Sequence, residues 1–570
     1  MRGVPLRNVR FVLPVAVLCG ALVLTGCAGS PPDGTAGPST GAPAVAVRDL
    51  STHTVLLDAD DPVELALTTS QTVYARSEVV VLADADDEAA REALAATAVA
   101  VHAPALLADT EGAGTGIAEE LERLGARAAV VVTGEERSTA DDDGTDAGTP
   151  GADDGTTDAD DEPGAASRRV ADAAGVQALA VTPDVVEGED GAGPALEGDD
   201  LEDLGSRLDA MLGDDPAVSA SAPGGAERDG ADEPRLLREV LALVDPTDGQ
   251  EAAIASLRAA GAVTTEVPGG DLGTRHAVQT VDRAQALTVV GVGSSFGDAA
   301  TFAWRVAAAE RAAMLPTGSQ HLLPARYVAV DATVWDDPAA AVARAQAAAA
   351  AYVPVDDTAA EGEDADAPEG PVVPTLVLPV SATAGGPGED GDWVTQEDLD
   401  ALAPLVSAAR DAGVYVLLDV GAGPAPAVEQ VRAAEALLRT PGVGVALHPE
   451  SRVGDGTSTT SHQMSAAELD EVTAYLADLV SREGLPPSLL VVHQTRPESV
   501  PDRSRLRPVP QVEVAVLADL TGGATTGEWV WNQVSAGLPE GVHLGWSGPA
   551  SGVAGSLVPT DPAPVLIATS

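Results

Sequence analysis

The chain has 570 residues, enough for two to four domains of ordinary size, and carries 31 basic residues, none of them lysine, against 89 acidic ones, a formal net charge of −58. That charge repels nucleic acid and anionic lipid, so both are excluded as partners. The two cysteines, Cys19 and Cys27, both lie near the start, which excludes a catalytic cysteine, a Cys-based zinc site and a disulfide framework from the rest of the chain.

Arg2, Arg7 and Arg10 precede an apolar run from Phe11 to Leu24, and Leu24-Thr25-Gly26-Cys27 closes it. A basic start, a short apolar stretch and small residues before a cysteine predict a signal peptide over residues 1–26. The run is short for a spanning helix. The Leu-Thr-Gly-Cys ending resembles the bacterial lipobox, and the resemblance implies cleavage before Cys27 and a diacylglyceryl group on its thiol. The expected location is therefore extracellular, with the chain held by lipid on the outer face of the cytoplasmic membrane. Residues 27–48 are small, polar and rich in Pro and Gly, a flexible tether behind that anchor. High Ala, Val, Gly and Arg without Lys points to a GC-rich, actinobacterial genome.

Residues 49–185 read as a small parallel α/β unit. VVVLAD (79–84) leads into an Ala-rich helix ending near Val101, ALLAD (105–109) follows, and a helix near Ile117–Leu124 precedes AAVVVTG (128–134). Ala103-Pro104-Ala105-Leu106-Leu107 and Glu120-Leu121-Glu122-Arg123-Leu124-Gly125-Ala126 resemble the cell wall-binding repeat type 2 of actinobacteria and clostridia over about 85 residues. The departures are the missing arginine-containing opening around Thr54–Thr68 and Thr133-Gly134 in place of a closing Gly-Gly. Inside this unit, 135–163 is acidic and without periodicity, a disordered insert. Its Asp141-Asp142-Asp143-Gly144-Thr145-Asp146 begins like a calcium loop but lacks the later bidentate Glu, and reads as solvated linker.

Residues 186–233 form a second acidic linker with one helix-like piece near Leu201–Leu212. A second α/β unit, 234–320, holds LALVD (241–245), AVTTEV (262–267) and LTVVGVG (287–293). Its Gly291-Val292-Gly293-Ser294-Ser295-Phe296-Gly297 lacks both the G-x-G-x-x-G spacing and an acidic ribose partner, so it reads as a strand-to-helix turn. From 321 to 570 there are eight strand candidates: 327–332, 375–381, 414–420, 443–449, 489–494, 512–519, 542–546 and 565–570. Helices follow the first four and the sixth; the clearest, Ala466–Glu483, has capping-box spacing in Ser465 and Glu468. The expected fold class is α/β: small parallel-sheet units, then a (β/α)8 barrel of the TIM type, with an open doubly wound sheet as the alternative.

The central stretch, 414–494, has three apolar strands that end in Asp419, in His448 and Glu450, and in His493 and Gln494. Parallel sheets bind ligands at the carboxyl ends of their strands. The region from about 286 onward resembles the C-terminal domain of actinobacterial secreted lipoproteins, through Ser295-Phe296-Gly297-Asp298, Phe302-Ala303-Trp304 and the strand-end motifs around Asp419, Glu450-Ser451-Arg452 and His493-Gln494. His448 stands where that pattern has an aspartate, and Ser451 where it has a tryptophan.

Glycoside hydrolysis needs two carboxyl groups, roughly 5–5.5 Å apart for retention and 6.5–9.5 Å for inversion. Ends of adjacent strands, about 4.8 Å apart, allow either. Glu450 is the candidate acid and Asp419 the candidate base or nucleophile. Arg452, His493, Gln494 and Trp546 are candidate substrate-binding residues, Trp546 as one of three late tryptophans with Trp529 and Trp531. The same carboxylates can instead cap helices or pair with arginines. A metal site from His448, Glu450 and His493 has no H-E-x-x-H or comparable spacing behind it, and no G-x-S-x-G elbow is present, so neither metal nor cofactor is expected. The expected function is a cell-envelope lipoprotein that binds cell-wall glycan or peptidoglycan without turnover. The alternative is an active wall-glycan hydrolase.

Overall fold

The computed structural model describes residues 45–109, 114–134, 162–183, 185–187, 194–196, 198–212, 237–353, 370–383, 394–421, 423, 425–452, 462–519, 524–548 and 563–569. Cys27, the expected signal peptide, nearly all of the tether, and the insert bearing Asp141–Asp146 lie outside them. Among the described residues no helix is long and apolar enough to cross a membrane.

The strands β1 (Val45–Val47), β2 (Thr54–Leu57), β3 (Tyr74–Ser77), β4 (Val79–Asp84), β5 (Ala105–Ala108), β6 (Ala128–Val132) and β7 (Gln177–Val181) come first. The parallel order β5-β4-β6-β7 makes one sheet, and β1 pairs antiparallel with β3. β4, β5 and β6 are continuous apolar runs because helices cover both their faces. The strands β8 (Val185–Glu187) and β9 (Pro194–Leu196) form a separate antiparallel pair. Then β10 (Val240–Val244), β11 (Val263–Glu266) and β12 (Thr288–Val292) build a second parallel sheet in the order β11-β10-β12-β2. Its fourth strand is therefore supplied from the start of the chain, Thr54 lying opposite Val289. The two sheets are clamped through buried polar contacts: Tyr74 Oη donates to the Ser256 carbonyl at 2.8 Å, and Ser256 Oγ accepts from Ala105 N at 2.9 Å.

Several motif residues turn out to brace these layers. Glu120 is buried, accepts from Ser70 Oγ at 2.5 Å, and is gripped by Arg123 at 2.6 Å, while Arg123 also donates to the Tyr74 carbonyl at 3.0 Å. Phe302 packs edge-on against Phe296 at 5.5 Å, and a Cβ on Gly291 would lie 2.8 Å from the Phe302 ring, so a side chain there would have to displace that ring. The segment after Gly291 is a strand-to-helix turn, as its spacing implies: β12 ends at Val292 and Asp298 caps the helix Ala299–Glu310. From that helix Trp304 donates to the Leu485 carbonyl at 2.9 Å, tying the second sheet to the C-terminal domain.

The C-terminal domain is a closed parallel barrel. Its strands are β13 (Arg326–Asp331), β14 (Val372–Thr383), β16 (Tyr415–Val420), β17 (Val443–Leu447), β18 (Ser488–Gln494), β19 (Val512–Asp519), β20 (Val542–Gly548) and β21 (Leu566–Thr569), with β15 (Val394–Gln396) added antiparallel on the end of β14. β21 pairs with β20 and β13, and β13 pairs with β14, which closes the ring. Helices follow β13, β16, β17 and β19; the helix Leu399–Asp411 comes after the β14–β15 hairpin, and short 3-10 turns follow β18. This is the α/β, TIM-like architecture that the apolar runs imply.

Alternation sorts each strand into two faces. Tyr327, Ala329, Tyr415, Leu417, Ala446, Val491 and Leu517 fill the interior as one cluster, and the intervening residues pack under the helices as another. Within the interior, Tyr327 and Tyr415 meet edge-on at 5.1 Å, and Tyr415 Oη accepts from Leu489 N at 3.0 Å.

Candidate functional site

The inward register carries polar residues to the carboxyl mouth of the barrel. Tyr415 and Leu417 point in, so Asp419 does; Ala446 points in, so His448 follows just beyond β17; Val491 points in, and His493 is next. Pro449 then starts a 3-10 turn that brings Glu450 back over the mouth. His462 secures that turn, with its Nδ1 2.7 Å from the Glu450 carbonyl.

His448 joins these groups. Its Nε2 lies 2.8 Å from Asp419 Oδ1, its Nδ1 lies 3.3 Å from Glu450 Oε1, and its ring stacks on that of His493 at 3.9 Å with a 35° tilt. Burial works against charge on the imidazole, but the hydrogen bonds and charges of Asp419 and Glu450 outweigh it, and His448 is pushed up to about 10. His493 goes the other way: burial and the neighbouring His448 charge hold it well below the ordinary imidazole range. Two stacked histidines thus divide into one cation and one neutral base. Glu450 Oε2 and His493 Nδ1 are buried without a hydrogen-bond partner.

No family model matches this chain. No curated protein matches it either. Among solved structures, Cwp6 from Clostridium difficile is similar over 73% of this chain and 67% of its own, with 14% identity and a TM-score of 0.29. Cwp8 from Clostridium difficile is similar over 74% of this chain and 52% of its own, with 12% identity and a TM-score of 0.17. A likeness that remote says nothing about activity, so the site stands on its own residues.

Of the residues singled out from sequence, Asp419, Glu450 and His493 meet at the mouth. Arg452 is beside them but directed elsewhere: it pairs with Glu468 at 3.0 Å and donates to the Gly423 and Ala425 carbonyls. Gln494 is one residue past an inward position, and its side chain is fully buried, with Nε2 3.4 Å from the Pro497 carbonyl. Trp546 likewise follows inward Gly545 and packs edge-on against Trp531 at 5.5 Å, beneath the helix Ala524–Ser535. Trp531 is buried with it, whereas Trp529 is 52% exposed.

Two acids at the mouth escaped the sequence reading. Asp331 ends β13 on the inward face; lost hydration and then the Asp419 charge raise its carboxyl, against the pull of His448 and Arg344. Asp519 ends β19 in register with Ser547 of β20. The same signal that marked Asp419, a polar residue closing an apolar strand, is present at both.

Proposed function

We propose that this chain is a surface-anchored envelope lipoprotein whose barrel mouth engages wall glycan without cleaving it. The anchoring part rests on the lipobox-like Leu24-Thr25-Gly26-Cys27 and the binding part on the polar side chains gathered where TIM-type barrels hold ligands. One observation supports the absence of turnover. The His448 ring fills the space between Asp419 and Glu450, in contact with both, and a scissile glycosidic bond would have to lie between those carboxyl groups. The surface charge of the chain leaves nucleic acid out as a partner.

Co-sedimentation of the full chain with purified actinobacterial wall tests the reading. The expected result is saturable binding, weakened roughly tenfold, about 1.4 kcal/mol, by either Glu450→Gln or Asp331→Asn. A chain that stays in the supernatant overturns it.

A further inference from the structure

Two of the buried atoms without partners, Glu450 Oε2 from the turn after β17 and His493 Nδ1 from β18, belong to residues that both contact the His448 ring. Buried polar atoms almost always find a partner, so a pair of orphans around one point implies a missing ligand. One nitrogen or oxygen from each of His448, Glu450 and His493 lies within 4.8 Å of the other two. Tetrahedral ligands at zinc bond lengths sit about 3.3–3.6 Å apart, so side-chain rotation of about 1 Å closes the set.

We propose that His448, Glu450 and His493 form a site for a divalent transition-metal ion, with Asp419 as the outer carboxylate that fixes the His448 ring. The Asp419 contact is at Nε2, so Nδ1, the nitrogen facing Glu450, is the one that binds the ion, giving up its proton to solvent as it does so. A carboxylate on the far nitrogen of a ligating histidine is the usual outer support of such sites. Two imidazoles and one carboxylate suit zinc, and also iron(II) or manganese, and three protein ligands leave a coordination position for water or a sugar hydroxyl. The ligands span two strand ends and a turn, so no compact sequence spacing announces them. The site does not depend on glycan binding.

The test uses the full chain stripped by chelation and titrated with Zn2+ alone in excess Ca2+, which occupies the acidic linkers. A parallel titration with Co2+ reads coordination by its visible absorption. One tight Zn2+ per chain is expected, weakened at least about 100-fold in Glu450→Gln and in His493→Gln, with loss of the Co2+ band. If His493→Gln does not fold, Glu450→Gln, nearly isosteric, carries the comparison. Absence of tight Zn2+ binding, or equal binding in the folded variants, overturns the proposal. Wall co-sedimentation of the stripped chain separates this from the glycan reading: sedimentation without tight Zn2+ removes only the metal site, and tight Zn2+ without sedimentation removes only glycan binding.

Discussion

His448 is charged against the grain of its burial, and His493 beside it is held neutral first by burial and then by that charge. The two shifts give opposite pH dependences. A raised histidine stabilises the fold fully below its unfolded value, about 6.5, and loses that contribution as pH rises through its folded value of about 10. A depressed histidine is neutral in the fold, so its stability is present above about 6.5 and is lost as pH falls towards its folded value. The pair alone therefore gives the metal-free chain a stability maximum near pH 6.5. Denaturant unfolding from pH 6.5 to 10 should show the wild type losing on the order of a few kcal/mol relative to His448→Gln. Parallel curves would mean that His448 is not held as a cation. Counting alternate residues from Asp419 and His493 recovers most of the mouth, and extended to YVAVDA and VEVAVLAD it also gives Asp331 and Asp519. The same count turns Gln494 and Trp546 outward. Polarity at a strand end is visible in sequence; which side it faces requires the parity of the whole strand.

At the scale of elements, the helix Ala466–Glu483 shows what spacing conveys and what it leaves out. Ser465 Oγ accepts from Glu468 N at 3.2 Å, the first half of a capping box. Glu468 does not complete the box: its carboxylate takes Arg452 at 3.0 Å and Ala427 N at 3.3 Å, tying the helix after β16 to the turn and helix after β17. Ser465→Ala should thus cost about 1 kcal/mol, an ordinary lost cap. Glu468→Ala should cost more, about 2–3 kcal/mol, because it strips a part-buried Arg452 of its partner. Urea unfolding of the two variants checks the order, and equal losses would show that the Arg452 contact contributes nothing. The eight barrel strands were legible because strands covered on both faces must be continuous apolar runs. The short β15 hairpin and the placing of β2 beside β12 were not: three residues carry too little pattern, and a pairing between Thr54 and Val289 has no local signature.

The whole molecule joins two small parallel sheets to a closed barrel, with Trp304 and the strand swap of β2 making the layers interdependent. It carries a formal net charge of −58, and its strand ends bring Asp331, Asp419 and Asp519 to the mouth, where His448 touches Asp419, Glu450 and His493. Glycoside hydrolysis would need the substrate to lie between two such carboxyl groups, and the His448 ring between Asp419 and Glu450 argues that they do not work as that pair. The direct measurement is release of reducing ends and muropeptides from purified wall by the full chain beside Glu450→Gln. The account predicts no release above background from either protein, under conditions where the wild type sediments with the wall. Release by the wild type that disappears in Glu450→Gln would contradict it and establish the carboxylate pair as catalytic.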